Sequence, residues 1–167
     1  MWRRDHRDPA RPIGVLPRFI LDQHLFDCAE VDLASVRLES RLAATRALAY
    51  ATKDLRLPSV QIRWFRPAEP GEPVYFRNAG GVPHGVVRGD RPAEIGVLAS
   101  LPPITIVDVV LHEALHVRQF LDGRDGHSDE CQDEAAIYAN RLSRAGVAKA
   151  IGDSAEAAAK EGGGERG

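Results

Sequence analysis

The chain contains few of the residues that cross-link or anchor a protein. Cysteine occurs only twice in 167 residues, at Cys28 and Cys131, and the two positions lie far apart in the sequence. A disulfide-rich secreted domain needs several cysteine pairs, so that class is excluded. Two unpaired thiols fit a reducing compartment, and we therefore expect a cytoplasmic protein.

An excess of charge of one sign and long apolar runs are also missing. The formal net charge is −2, which gives no reason to expect a nucleic-acid-binding groove. No stretch approaches the length of a membrane span, and the first residues lack the apolar core of a signal peptide. Apolar residues make up 44% of the sequence, enough for one globular domain with its own core. We expect neither nucleic acid nor membrane as a partner.

Both ends of the chain have little to bury. Residues 1–12 are rich in Arg, Asp and Pro, and we expect a flexible arm there. Residues 147–167 are rich in Ala, Glu, Lys and Gly, and we expect a flexible tail. Residues 13–146 then form a single domain, with helical spacing before Pro58 and short alternating strands after it. This order predicts an α+β fold: N-terminal helices, a small mostly antiparallel sheet and two C-terminal helices.

The five residues from His112 to His116 read HExxH, the most informative pattern in the chain. Histidines four apart lie on the same side of a helix, one turn from each other, so both imidazoles can bind one metal ion. Glu113 can reach a water on that metal. Because hydrolytic zinc sites combine nitrogen ligands with a carboxylate base and an open position, His112 and His116 are predicted zinc ligands and Glu113 the catalytic base.

The sequence around the motif predicts a buried helix from about Ile106 to Leu121. Thr105 and Asp108 match the Ser/Thr-x-x-Asp/Glu start signal, and Asp122-Gly123 is a stop signal. The helix is apolar nearly all round. Apart from Arg118, its polar face is one narrow wedge, composed of Thr105, Asp108, His112, His116 and Gln119. An ordinary surface helix has a much wider polar arc, so the narrow wedge favours a metal site.

A catalytic zinc ion usually takes a third protein ligand. The downstream residues of suitable type are His127, Glu130, Asp133 and Glu134. Ser128 is a predicted N-cap for a second helix that runs to about Ala145, with apolar residues every three or four positions from Cys131. That apolar stripe must face the core. Glu134 lies at its edge, so periodicity favours Glu134, eighteen residues after His116.

This combination of HExxH with a glutamate on the next helix resembles the gluzincin branch of the zincin metallopeptidases. The run Asp133-Glu134-Ala135-Ala136 is similar to the setting of that family's glutamate, and the stretch from His112 to Gln119 resembles compact single-domain minigluzincins. The resemblance implies a zincin-like fold with zinc held by His112, His116 and Glu134. In many minigluzincins the glutamate stands three residues before the alanine that corresponds to Ala135, and here that position is Gln132.

A second resemblance leaves the third ligand open. The segment Asp125-Gly126-His127-Ser128, followed by Glu130-Cys131, is similar to the part of SprT-like proteases that supplies a third histidine just before a helix. This resemblance implies His127, eleven residues after His116, as the ligand instead of Glu134.

Together these residues predict a zinc-dependent metallopeptidase that hydrolyses peptide bonds in a peptide or protein substrate. Glu113 would take a proton from a zinc-bound water as it attacks the carbonyl, and would then pass it to the leaving amine. Asp108 is expected either to accept a hydrogen bond from a histidine or to cap the helix. The oxyanion could be stabilised by any of Tyr75, His84, Tyr138 or Arg141. Glu94–Ala99 could be a sheet edge to which the substrate adds as a strand.

Two other classes of function compete with the peptidase. One is a non-catalytic zinc module that binds a partner, although Glu113 has no purpose in such a site. The other is a metal-free interaction domain, which applies if the HExxH match is fortuitous. Metal content separates the three: no zinc supports the interaction domain, and zinc without hydrolysis supports the module.

Overall fold

Four helices and five strands make up residues 25–164, the part of the chain that this computed structural model describes. The strands are β1 (Leu25–Val31), β2 (Gln61–Pro67), β3 (Phe76–Ala79), β4 (Gly85–Arg88) and β5 (Arg91–Leu98). The helices are α1 (Leu38–Leu55), α2 (Pro103–Leu121), α3 (Asp129–Arg144) and α4 (Val147–Gly164), and a short 3-10 helix at Leu33–Ser35 precedes α1. The predicted α+β class is confirmed. No helix in this part of the chain is long and apolar enough to cross a membrane.

The chain divides into two compact units, and the described part of the smaller one is 25–29 and 67–82. In this unit β1 pairs with β3 in antiparallel fashion, from Leu25 opposite Ala79 to Cys28 opposite Phe76. The larger unit comprises 30–66 and 83–164 and contains all four helices. The arm predicted for residues 1–12 lies outside the described residues.

In the larger unit β5 lies between two strands. It pairs in parallel with β2, from Gln61 opposite Glu94 to Phe65 opposite Leu98, and antiparallel with β4, with Gly85 opposite Val97. The expectation that Glu94–Ala99 is a sheet edge is therefore wrong. Since β4 and β5 are joined by the tight Gly89-Asp90 turn, they form a hairpin, and the strand that comes first in the chain takes the outer position. Among the described strands, β4 pairs with β5 alone.

Helix α2 is the centre of the core of this unit. Its buried apolar side chains belong to Ile106, Val107, Val110, Leu111, Ala114 and Val117. Helix α1 contributes a buried face of small residues, Ala43, Ala44, Ala47 and Ala51, which permits close approach of the two helices. Because α2 contacts the other three helices and also β4 and β5, only a narrow strip of its surface is left for polar side chains.

The ends of α2 and α3 partly follow the predicted signals. Helix α2 ends at Leu121 as expected but starts at Pro103, with Pro102 as N-cap and no side-chain capping bond. The Thr105–Asp108 start signal is thus not used, because proline is favourable in a first helical turn and begins the helix earlier. In α3 the predicted cap is confirmed: Ser128 Oγ accepts from the Cys131 amide at 3.3 Å.

Two terminal predictions need correction. The flexible tail expected for 147–167 is in fact helix α4 from Val147 to Gly164, with Ala148 and Ala155 buried in the core. Its small apolar residues recur at helical spacing, and this outweighs the low-complexity composition. Of the expected N-terminal helices only α1 lies in the described part, and Leu25–Val31, expected to be partly helical, is a strand.

Candidate metal centre

The two histidines of HExxH face each other on α2. Their Nε2 atoms lie 3.1 Å apart, and the rings meet edge to face with centroids 4.8 Å apart. His116 is buried and His112 is half-buried. Zinc–nitrogen bonds of about 2.0–2.1 Å at a tetrahedral angle separate two ligand nitrogens by about 3.3 Å. The pair is therefore spaced almost as a metal requires.

Gln119 fixes which nitrogen of His116 carries the proton. Its Nε2 donates to the carbonyl oxygen of Cys131 at 3.0 Å and to Glu134 Oε2 at 3.2 Å. Since both partners are acceptors, Oε1 is the accepting end of the amide, and it lies 2.8 Å from His116 Nδ1. Nδ1 must donate there. The lone pair of His116 Nε2 is consequently directed at the space beside His112.

Both imidazoles are held in the neutral form that binds metals. Burial lowers the pKa of His112, and the adjacent His116 lowers it further, against a hydrogen bond from Gln132. Burial also lowers the pKa of His116, while hydrogen bonds with Gln119 and Gln132 act in the opposite direction. At neutral pH neither ring carries a net charge, and a metal ion would replace the proton that His112 Nε2 donates to His116 Nε2.

Gln132 of α3 is the side chain that meets both histidines. It hydrogen bonds to His112 and to His116 and raises the pKa of each. Gln132 therefore favours the protonated form of both rings, in opposition to burial. This is the position at which many minigluzincins carry their glutamate.

Glu134, the predicted third ligand, makes a different set of contacts. Its carboxylate accepts two hydrogen bonds from Arg124, at 2.7 and 2.9 Å, and a third from Gln119. The Arg124 hydrogen bond is the main cause that lowers the pKa of Glu134. Within residues 25–164 no group of three His, Cys, Asp or Glu side chains is placed to hold one metal ion. Glu134 therefore contacts Gln119, and Gln119 in turn contacts His116.

The alternative ligand His127 is also engaged elsewhere. Its Nε2 lies 3.0 Å from the carbonyl oxygen of Val87, and its ring packs edge to face on Phe120. A carbonyl oxygen can only accept, so Nε2 carries a proton there. His127 therefore holds the turn before α3 against β4. The remaining carboxylates considered, Glu130 and Asp133, are exposed on α3.

Glu113 is buried beside the histidine pair, with 9% of its surface exposed. Burial raises its pKa to about 8. The backbone of β4 lies directly against it: a Cβ added at Gly85 would come within 3.0 Å of Glu113 Cγ and 2.5 Å of Val109 Cγ1. Glycine at 85 therefore lets the edge strand approach the base closely. No local pattern around residue 85 indicates this requirement, because it arises from a distant helix.

A cleft of about 500 Å³ opens at His112 and Glu113. Helix α2 contributes Thr105, Asp108 and Val109, α3 contributes Ala136, Ala139, Asn140 and Ser143, and the start of β4 contributes His84 and Gly85. Asp108 neither caps the helix nor receives a hydrogen bond at Oδ1, which is buried without a partner among the described residues.

Of the four residues predicted as oxyanion donors, His84 lines this cleft. The hydroxyl of Tyr138 donates a hydrogen bond to Asp54 Oδ2 on α1 at 2.8 Å. Arg141 lies over the Tyr138 ring, 5.6 Å from its centroid. Tyr75 belongs to the smaller unit. The structure therefore favours His84 for this role.

Comparisons with protein-family models, curated proteins and solved structures gave no match to this chain. The function is accordingly argued from the geometry of the site.

Proposed function

We propose that the chain is a zinc-dependent metallopeptidase with His112 and His116 as metal ligands and Glu113 as catalytic base. The observation that carries the proposal is the neutral histidine pair, with Nε2 atoms 3.1 Å apart, beside a buried glutamate at the wall of a cleft. A histidine pair on a solvated helix surface would not require a buried glutamate beside it. Two free, buried cysteines are consistent with activity in a reducing compartment such as the cytoplasm.

The donor set fits zinc with one departure from the family pattern. Two neutral imidazoles supply nitrogen ligands, and Gln132, which lies near enough to raise the pKa of both, carries an amide oxygen. We propose Gln132 as the third ligand. Glu134 and His127 are the alternatives, and variants at all three positions must be compared. An amide oxygen carries no net charge, so the metal affinity should be lower than with a glutamate.

A bound zinc ion supplies Lewis acidity, which acidifies water and polarises a carbonyl group. The chain's own residues then perform the proton transfers. Glu113 takes a proton from the attacking water and delivers it to the leaving amine, and a pKa near neutrality suits both steps. A positive charge nearby favours its ionised form, the form that acts as base. The His84 ring is the donor available to the developing oxyanion.

The edge strand β4 is suited to hold an extended peptide across the cleft. In the antiparallel pair with β5, the His84 carbonyl accepts from the Leu98 amide at 2.9 Å, so the peptide groups of the next residue, Gly85, point outwards. Gly85 is also the residue in contact with Glu113. A substrate strand added there would bring its backbone next to the base without the need for a particular sequence.

A non-catalytic zinc module is the second candidate, and one observation favours it. The residue that meets both histidines is an exposed glutamine, while the nearest carboxylate of α3 is tied to Arg124. A site specialised for hydrolysis would be expected to hold its metal more firmly.

Metal content and hydrolysis of a peptide mixture, measured on the wild type and two variants, test the proposal. We expect the wild type to bind one zinc ion and to cleave peptides. Glu113→Gln should keep the metal and lose about 10²–10⁴-fold in rate, because the base is removed. His116→Ala should lose the metal as well. Zinc binding with no cleavage by the wild type would support the non-catalytic module, and no zinc binding would exclude both.

A further inference from the structure

The carboxylate of Asp108 has a buried oxygen that lacks a hydrogen-bond donor among the described residues. It lines the cleft, and burial raises its pKa. Its Oδ1 is shut off from solvent and has no hydrogen-bond donor within the described residues. Asp108 does not cap α2, whose N-cap is Pro102, and it does not bond to His116 Nδ1, which is bonded to Gln119. A desolvated carboxylate gains most from an added cation.

The rest of the cleft offers acceptors and no competing positive charge of lysine or arginine. Apart from Glu113 and the histidines His84 and His112, the polar side chains that line the cleft are those of Thr105, Asp108, Asn140 and Ser143, and all four carry an oxygen that can accept a hydrogen bond. None of the described residues that line the cleft is a lysine or an arginine. An ammonium or guanidinium group has only donors, so it matches a wall of acceptors.

The size of the cleft also suits a long side chain. On the α3 side, Ala136 and Ala139 are small and leave the space open. The volume of about 500 Å³ lies within the range of sites that enclose small ligands. Asp108 is one turn of α2 before His112, so a group bound at Asp108 is one turn away from the histidine pair.

From these observations we propose that the cleft is a specificity pocket for a cationic group of the substrate, with Asp108 as its counter-charge. The inference rests on the proposed peptidase function, deepens it and assigns its substrate class: peptides with a positively charged group next to the cleaved bond. The group is either a lysine or arginine side chain or a free α-amino group, and the two share the same chemistry.

The first experiment needs no hydrolysis, so it stands even if the peptidase proposal fails. n-Butylammonium, n-butylguanidinium and 1-butanol are titrated into the metal-free protein and followed by NMR chemical shifts. We expect the two cations to bind and to shift signals of cleft residues, whereas 1-butanol does not. Asp108→Asn should weaken cation binding about tenfold or more, the usual effect of losing a charge-assisted hydrogen bond. Asp133→Asn, which removes an exposed carboxylate outside the cleft, should bind as the wild type does.

The second experiment identifies the source of the charge. Binding is compared for an N-acetylated peptide with one lysine, the same peptide with norleucine, and the norleucine peptide with a free amino terminus. Preference for the lysine peptide assigns a side-chain pocket, and preference for the free amino terminus assigns an aminopeptidase-type pocket. Equal binding of all three peptides, equal binding of 1-butanol and the cations, or an unchanged Asp108→Asn variant would overturn the proposal.

Discussion

Helices α2 and α3 contribute to the same site in different ways. On α2, the side chains of the site are fixed by burial: His116, Glu113 and Gln119 are all at most 9% exposed. On α3, Gln132 is exposed, and Glu134 is half-buried and paired with Arg124. The surrounding core therefore holds the polar residues of α2 in place, whereas those of α3 are in contact with solvent. Gln132, the proposed third ligand, lies on this surface helix.

The largest expected effect of burial on α2 is the dependence of protein stability on the ionisation of Glu113. Its folded pKa of about 8 lies above the ordinary value of 4.5, so ionisation opposes folding. The contribution of Glu113 to the stability of the metal-free protein is fully present below pH 4.5 and is lost as pH rises through 8. The loss is on the order of 5 kcal/mol. Glu113→Gln should abolish this component, as measured by urea unfolding between pH 5 and 9.

Glu130 on α3 provides the matched control for that measurement. Its side chain is 80% exposed, and Glu130→Gln should leave the pH dependence of unfolding as in the wild type. If Glu113→Gln and Glu130→Gln behaved alike, the contrast between a buried and a surface helix would be lost.

Substitutions on α3 and in the turn before it separate the three possible ligands. Gln132→Glu should raise zinc affinity about 10–100-fold, because a carboxylate replaces a neutral amide beside two imidazoles. Glu134→Ala and His127→Ala should change zinc affinity by less than about threefold, since neither side chain reaches the histidine pair. Competition with a chromogenic chelator measures all three. A large loss of affinity in Glu134→Ala would restore the family-type ligand, and the same loss in His127→Ala would support the SprT-like arrangement.

Gln119 joins the two helices, and its removal should affect both. Gln119→Leu leaves His116 Nδ1 without an acceptor, and zinc affinity should fall about 10–100-fold. Gln119→Glu should retain more of the affinity, because a carboxylate can accept from Nδ1. It should nevertheless unfold more easily than the wild type, since it lies next to Glu134 and the Cys131 carbonyl. Equal zinc affinity in both variants would show that Gln119 supports the fold without orienting His116.

The smallest expected effect concerns the contact of β4 with α2. Gly85→Ala places a Cβ 2.5 Å from Val109 Cγ1, and thermal unfolding should show a loss of about 1–3 kcal/mol. The rate of hydrolysis should fall as well, because Glu113 is displaced. Gly163→Ala on α4, where an added Cβ meets nothing within 4 Å, should be neutral or slightly stabilising. Wild-type stability in Gly85→Ala would show that β4 can move away from the base.

Local rules predict the elements that local chemistry determines. The end of α2 at Leu121, the Ser128 cap and the buried stripe from Cys131 to Leu142 follow from turn signals and apolar spacing. The choice of residue on α3 is different. Periodicity puts Glu134 at the edge of the stripe, from which a side chain can turn either way, and Arg124 in the preceding turn draws it outwards. Such a pairing is not encoded in spacing.

Two further features depend on contacts between distant parts of the chain. The outer position of β4 is decided by the parallel pairing of β5 with β2, which the residues around Glu94 do not indicate. Helix α4 is held in place because Ala148 and Ala155 pack into the core. Composition alone favours a flexible tail there.

The hydrogen bond between His127 and Val87 also bears on how copies of this chain meet at high concentration. It occupies an outward-facing carbonyl of a strand that is only four residues long. A second molecule that approached edge to edge would find too short a row of peptide groups for stable cross-molecule pairing. The strand that we propose to hold a substrate peptide is therefore a poor template for fibrillar stacking.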